Sequence, residues 1–122
     1  MKRPLEIIFA LIVLALAPSC GNKDCREMSK DNVSVLIVNE SGHHVSSLVL
    51  KYEKGIKHIG HLADSAQTCV SFHSPGESSY TLTVTLESGD TLRSTQYTEG
   101  GYALIETITA DSIQTKHQQA DY

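Results

Sequence analysis

Residues 80–86, YTLTVTL, begin with a tyrosine, after which threonine alternates with leucine or valine. Successive side chains of a β-strand point to opposite faces of its sheet, so one face here is apolar and the other carries hydroxyls. β-Branched threonine is favourable on the solvated side of a sheet. The stretch therefore predicts a strand that packs one face against a core and leaves the other in water.

Short strand-like segments separated by turn signals occupy most of the chain from residue 33 onward. Residues 33–40 form a near-continuous apolar run, as in a strand buried on both faces. Segments 45–52 and 67–73 alternate instead, and glycine-containing turns separate the runs. About seven short strands at this spacing, without helical periodicity, predict an all-β fold. We expect an antiparallel sandwich over residues 32–115, with a small β-barrel as the alternative.

The number and spacing of these strands resemble those of immunoglobulin-like and fibronectin-III-like domains. The resemblance implies two packed sheets whose end loops contact partners. Antibody domains also carry an inter-sheet disulfide and a packed tryptophan. This sequence has no tryptophan and a single cysteine, Cys69, inside the predicted domain. The candidate contact loops are residues 40–44, 53–56, 74–78 and 99–102, and the polar tail 116–122 is predicted to be frayed.

The N-terminal segment has the pattern of a secretory signal. A cationic start precedes an apolar run over residues 7–17, which is too short to span a bilayer. Cleavage after Ala17 would leave Cys20 as an ordinary thiol. Pro18 would then be the first mature residue, and its fixed backbone suits a protease poorly. We therefore predict that residues 1–19 are removed as a lipoprotein signal peptide.

The tetrapeptide APSC that ends at Cys20 resembles a relaxed bacterial lipobox. The resemblance implies that the Cys20 thiol is joined to diacylglycerol and that the new amine is acylated, for example by palmitate. Two or three chains anchor a protein stably. The following DCR triplet around Cys25 is similar to small bacteroidete-type lipoproteins, and Gly21 in place of aspartate favours the outer membrane. Residues 20–31 are predicted to be the lipid anchor and a flexible tether.

The two remaining cysteines, Cys25 and Cys69, form an even pair in an oxidising compartment. A disulfide between them would pin the tether to the sandwich. The alternative is a free thiol at Cys25 and a buried, unpaired Cys69.

The six histidines are candidate metal ligands. His43 and His44 lie in a predicted turn, which can converge two side chains. No Cys/His motif or carboxylate spacing accompanies them. Solvated surface histidines are therefore the default interpretation, and no cofactor is predicted.

Three Asp-(Ser/Thr)-apolar triplets resemble the O-glycosylation sites of bacteroidete-type exported proteins. Their hydroxyl residues are Ser65, Thr91 and Ser112. The resemblance implies glycans at these positions. Asp-Ser and Asp-Thr pairs are also favoured in turns for their local hydrogen bonds, which is the alternative explanation.

Charge and motif content narrow the class of function. The formal net charge is −4 and the basic residues are scattered, so nucleic acid is not an expected partner. No Gly-x-Ser-x-Gly, carboxylate pair or phosphate-binding glycine loop is present, and we predict no enzymatic activity. The sequence predicts a lipid-anchored cell-envelope protein, a non-enzymatic binding or structural module for an envelope protein or glycan. The alternative is a periplasmic metal or thiol-redox accessory that uses the histidines or the pair Cys25 and Cys69.

Overall fold

The structure, a computed structural model, describes Cys25 and residues 31–118, and it contains β-strands and no helix over these residues. The eight strands, in chain order, are β1 (Asn32–Asn39), β2 (Val45–Tyr52), β3 (Gly55–Leu62), β4 (Gln67–His73), β5 (Ser78–Leu86), β6 (Thr91–Thr98), β7 (Ala103–Ile108) and β8 (Ile113–His117).

The strands form two four-stranded sheets. Sheet A has the order β4-β1-β7-β8, and sheet B has the order β3-β2-β5-β6. β1 and β7 run parallel, and the other neighbouring strands are antiparallel. The predicted all-β sandwich is therefore confirmed. Within the described residues the sheets stay separate, so the barrel alternative does not form.

Strand count and connectivity differ from the sequence-based expectation. β8 crosses the predicted domain boundary at residue 115, since Lys116 and His117 pair with Ile105 and Leu104 of β7. β8 is polar because it is an edge strand, which leaves one edge unpaired and most of its side chains in water. Its polar sequence therefore predicted a tail rather than a strand. In an immunoglobulin domain the first two strands share a sheet. Here β1 and β2 lie in different sheets.

The core lies between the two sheets and follows the two-residue period of the sequence. In β5, Tyr80, Leu82, Val84 and Leu86 are at most 2% exposed, which confirms the pattern predicted from residues 80–86. β1 departs from its prediction: its outward Leu36 and Val38 are half-buried rather than buried. The second face of a fully buried sheet is covered by helices, and the described part of the chain has none. The outward face of β1 is therefore only partly covered.

The pairing register assigns each loop to one of two ends of the sandwich. One end, called the entry end, contains Asp31, which precedes β1, and the segments 53–54, 74–77 and 99–102. The far end carries the loops 40–44, 63–66, 87–90 and 109–112. Of the predicted contact loops, only 40–44 lies at the far end, and the other three cluster at the entry end.

Buried Asn39 fastens two loops of the far end to each other. Its amide nitrogen donates to the carbonyl oxygens of His43, Leu62 and Ala63 at 2.9, 3.1 and 3.1 Å. Its amide oxygen accepts from the backbone N–H of Ser41 at 3.0 Å and from the Ser41 hydroxyl at 2.7 Å. One side chain thus satisfies the polar backbone of both loops where water is excluded.

Asn39→Ala is expected to lower the free energy of unfolding by about 2 kcal/mol, because several buried backbone groups lose their partner together. Chemical denaturation monitored by circular dichroism would measure the loss. The matched control is Glu40→Ala at the exposed neighbouring position, which should stay within about 0.5 kcal/mol of the wild type. Equal effects of the two substitutions would contradict the role assigned to Asn39.

Candidate functional site

A groove lies at the entry end of the sandwich. It has a volume of about 510 Å³, and a smaller hollow of about 240 Å³ adjoins it. The two share Tyr52, Glu53, Glu77 and Ser78. The groove is lined by Lys51, Tyr52, Glu53, Glu77, Ser78, Ser79, Tyr80 and Thr81.

Two turns and an aromatic stack shape this groove. The ring of Tyr52 stacks on Phe72 with 4.6 Å between centroids, and Phe72 meets Tyr80 edge-on at 6.0 Å. A Cβ atom at Gly55 would lie 3.2 Å from the Tyr52 hydroxyl, so a side chain there would press on the stack. Across the groove the Ser78 hydroxyl donates to the carboxylate of Glu53 at 3.4 Å.

The groove combines hydrogen-bond donors and acceptors in a water-accessible setting. Glu53 and Glu77 are exposed carboxylates, Lys51 supplies an ammonium group, and the serine and threonine hydroxyls can donate or accept. Such a mixture suits a polyhydroxylated or peptide ligand held by several polar contacts. Sequence analysis had placed loops 53–56 and 74–78 among the contact loops. Lys51 and Thr81 lie in predicted strands, and Ser79 lies between a predicted loop and a predicted strand. Their convergence depends on how the strands pair.

Cys25 and Cys69 are joined in the structure. Cys25 and Cys69 form a disulfide with 5.1 Å between their Cα atoms and a sequence separation of 44 residues. Cys69 is exposed and pairs with Leu36 of β1 on the outward side of sheet A. The bridge therefore places Cys25 on that outward side.

The histidines proposed as ligands lie at the far end. His43 is exposed in loop 40–44, and half-buried His44 faces His61 with 5.3 Å between ring centroids. Among Cys25 and residues 31–118, no three His, Cys, Asp or Glu side chains lie close enough together to hold a metal ion. The structure thus brings His44 to His61 rather than to His43.

The three candidate glycosylation residues also lie at the far end. Ser65 is exposed in the β3–β4 loop at a positive φ of 69°, and Thr91 is exposed at the start of β6. Ser112 is half-buried, and its hydroxyl lies 2.9 Å from that of Thr109. Asp64 accepts a hydrogen bond from the backbone N–H of Gly42 at 3.0 Å, which is a turn-stabilising role. Glycosylation of all three residues stays a prediction.

Three sequence-based predictions fall outside the described residues: lipidation at Cys20, the signal peptide 1–19 and most of the tether. Within the described residues there is no helix of the length and hydropathy needed to cross a membrane.

A buried polar network was not predicted from the sequence. Glu106 of β7 is 0% exposed and lies among core residues. Its carboxylate accepts hydrogen bonds from the hydroxyls of Tyr80, Thr115 and Ser94, the last at 3.2 Å. Gln96 donates to Ser94 at 2.9 Å and to Thr115 at 3.0 Å. The network joins β5 and β6 of sheet B to β7 and β8 of sheet A.

The signal for this network was present in the alternation of β7. In ALIETI the inward positions are Leu104, Glu106 and Ile108, so the period of two already placed a carboxylate on the core face. The partners come from other strands, and their identity required the tertiary structure.

Burial of the Tyr80 hydroxyl is the main cause that raises the pKa of Tyr80 above its ordinary value. The charge of Glu106 and its hydrogen bond with Tyr80 raise this pKa further. The folded state thus holds this proton more tightly than the unfolded chain does. The corresponding stability is complete below about pH 10, where an unfolded tyrosine keeps its proton, and is lost as the pH rises further.

Tyr80→Phe is expected to make the decline of stability above pH 10 shallower by about 1.4 kcal/mol per pH unit, which is the contribution of one proton. Urea denaturation at a series of alkaline pH values would measure the slope. Thr83→Val is the control, because it removes an outward hydroxyl of β5 that does not titrate in this range, and it should leave the slope unchanged. Identical slopes for wild type and Tyr80→Phe would contradict the assignment.

A second aromatic cluster lies at the entry end. Tyr97 contacts Tyr102 edge-on at 6.3 Å between centroids, and Tyr102 contacts His117 edge-on at 5.6 Å. A hydrogen bond to Glu99 is the main cause that raises the pKa of Tyr97 to about 12. Tyr97 is nevertheless half exposed and available for contact.

These observations define the chain as an all-β sandwich of two four-stranded sheets with a groove at one end. No protein family and no curated protein matches the sequence. The fold is similar to that of a protein from Eubacterium rectale solved by NMR, with a TM-score of 0.54 and 15% sequence identity. The similarity covers 83% of this chain and 98% of that protein. At this identity the likeness concerns the fold alone.

Proposed function

We propose that this protein is a lipid-anchored, non-enzymatic binding module of the bacterial cell envelope. The observation that carries the binding function is the entry-end groove, in which two turns converge over a rigid aromatic stack. Loops positioned by a rigid sandwich are common binding sites. The signal-like N-terminus and Cys20 support the location in the envelope.

The disulfide supports a specific orientation at the membrane. Only five residue steps separate Cys20 from Cys25, which limits their distance to about 18 Å even when extended. Cys25 is bonded to Cys69 on the outward side of sheet A. An acylated Cys20 would therefore hold sheet A near the bilayer, and the outward side of sheet B would face away from it.

Two variants test the proposal in cells. Cys20→Ser is expected to abolish labelling by radioactive palmitate and to move the protein out of the membrane fraction. A photo-crosslinking amino acid at Glu77 in the groove should give a discrete product in intact cells. The control position is Gln114, exposed on β8. The proposal fails if Cys20→Ser stays in the membrane fraction or if Glu77 and Gln114 give the same products.

A further inference from the structure

The charges of the described chain are separated between strands and loops. In the strands the only carboxylate is buried Glu106, and the cations are Lys51, Lys57, Arg93 and Lys116. The loops and turns contain one cation, Lys54. All the other acidic residues of the described chain lie in these loops, namely Asp31, Glu40, Glu53, Asp64, Glu77, Glu87, Asp90, Glu99 and Asp111.

The outward side of sheet B concentrates cations and hydroxyls. One row across its four strands consists of His58, Val49, Thr83 and Arg93. The neighbouring row across the strands is Ile56, Lys51, Thr81 and Thr95. The Thr81 and Thr95 hydroxyls lie 3.0 Å apart. No carboxylate belongs to either row of the described sheet.

The same side carries the two large apolar residues that are most exposed in the described structure. Ile56 on β3 is 51% exposed, and Tyr97 on β6 is 50% exposed. They lie on the two edge strands: Ile56 ends the row of Lys51 on β3, and Tyr97 lies one row beyond that row on β6. By contrast, the outward side of sheet A carries half-buried Leu36, Val38 and Ile105 and the disulfide.

We propose that the outward side of sheet B binds an acidic, carboxylate-bearing polysaccharide. Lys51 and Arg93 would pair with its carboxylates, and the threonine hydroxyls would bond its hydroxyl groups. Tyr97 offers an amphipathic ring with an apolar body and a polar tip. The groove adjoins this surface, since Lys51 and Thr81 belong to both. Its carboxylates, Glu53 and Glu77, lie at the entry end. This inference deepens the proposed binding function and rests on it.

Charge also sets the direction in which such a polymer would lie. Acidic loops border sheet B at both ends, and they would repel an anionic chain that ran along the strands. A polymer that crosses from β3 to β6 avoids both ends. Lys51 and Arg93 are two strands and one row apart, which corresponds to about 12 Å from standard sheet spacings. Two carboxylates of one oligosaccharide can span that distance.

The test measures binding of polygalacturonate fragments to the full chain in detergent solution at low salt. The Lys51→Gln/Arg93→Gln double variant is expected to bind about tenfold more weakly, because two exposed charge contacts are lost. Neutral dextran should bind at least tenfold more weakly than polygalacturonate to the wild type. The matched control is Lys57→Gln/Lys116→Gln, which makes the same charge change outside the two rows and should stay within about twofold. Unchanged thermal melting would show that both double variants fold.

Several outcomes would overturn the ligand assignment. The assignment fails if polygalacturonate does not bind or if dextran binds as tightly as polygalacturonate. It also fails if the two double variants weaken the binding of polygalacturonate equally. Binding to phosphatidylglycerol vesicles that exceeds polygalacturonate binding and is lost in Lys51→Gln/Arg93→Gln would instead assign the surface to anionic lipid. If polygalacturonate fails but Cys20→Ser and Glu77 cross-linking behave as proposed, only the ligand assignment fails and the envelope binding function stands.

Discussion

Replacement of Glu106 by alanine is expected to lower the free energy of unfolding by about 3–5 kcal/mol. Glu106 is fully buried and accepts from the hydroxyls of Tyr80, Ser94 and Thr115. Alanine would leave all three hydroxyls without their carboxylate acceptor and create a cavity between the sheets. Each buried hydroxyl that loses its partner costs about 1–3 kcal/mol, less whatever entering water restores. Since small domains are stable by only about 5–15 kcal/mol, much of the folded population could be lost.

Equilibrium urea denaturation followed by circular dichroism would measure this effect. Thr107→Ala is the matched control, because Thr107 is the next residue of β7 and points outward, where it is half-buried. Its cost should remain below about 1 kcal/mol. Glu106→Gln keeps the shape but gives up one acceptor oxygen, so an intermediate cost of about 1–3 kcal/mol is expected. A loss below 1 kcal/mol for Glu106→Ala would show that the network contributes little to stability.

Removal of the disulfide by the Cys25→Ser/Cys69→Ser double substitution is expected to cost up to about 4 kcal/mol. The bridge closes a loop with a sequence separation of 44 residues, and it limits the conformations of the unfolded chain. Loss of the bridge frees that chain and favours unfolding. The same substitution frees position 25 from sheet A, so protease should cleave beside it faster.

The control for this prediction is the single Cys25→Ser variant, which also lacks the bridge but keeps the Cys69 thiol. Both variants should be destabilised to the same extent relative to wild type. Dithiothreitol should lower the midpoint of wild-type denaturation and leave the double variant unchanged. A double variant as stable as wild type, within 1 kcal/mol, would contradict a stabilising role for the bridge.

The interior of the sandwich was largely readable from local sequence. Alternation in residues 80–86 correctly placed Tyr80, Leu82 and Val84 in the core, because the side-chain period of a strand is independent of its partners. The same rule places Cys69 and Val70 on opposite faces of β4, and in the structure Cys69 is exposed and Val70 is buried. It failed at β8, where a polar edge strand gave no apolar signal. It also failed for the order of strands, since long-range pairing between β1 and β7 leaves no local trace.

The sequence by itself determined the strand character of most of this chain, the buried face of its alternating strands, and the cysteines available for pairing. These properties depend on side-chain period, residue type and count. Only the tertiary structure decided which strands are neighbours. That choice surrounds Glu106 with three hydroxyls, brings two turns together at the groove, and aligns Lys51 and Arg93 on one side of sheet B. Such groupings join residues distant in sequence, and they follow from the packing of the whole chain rather than from any one segment.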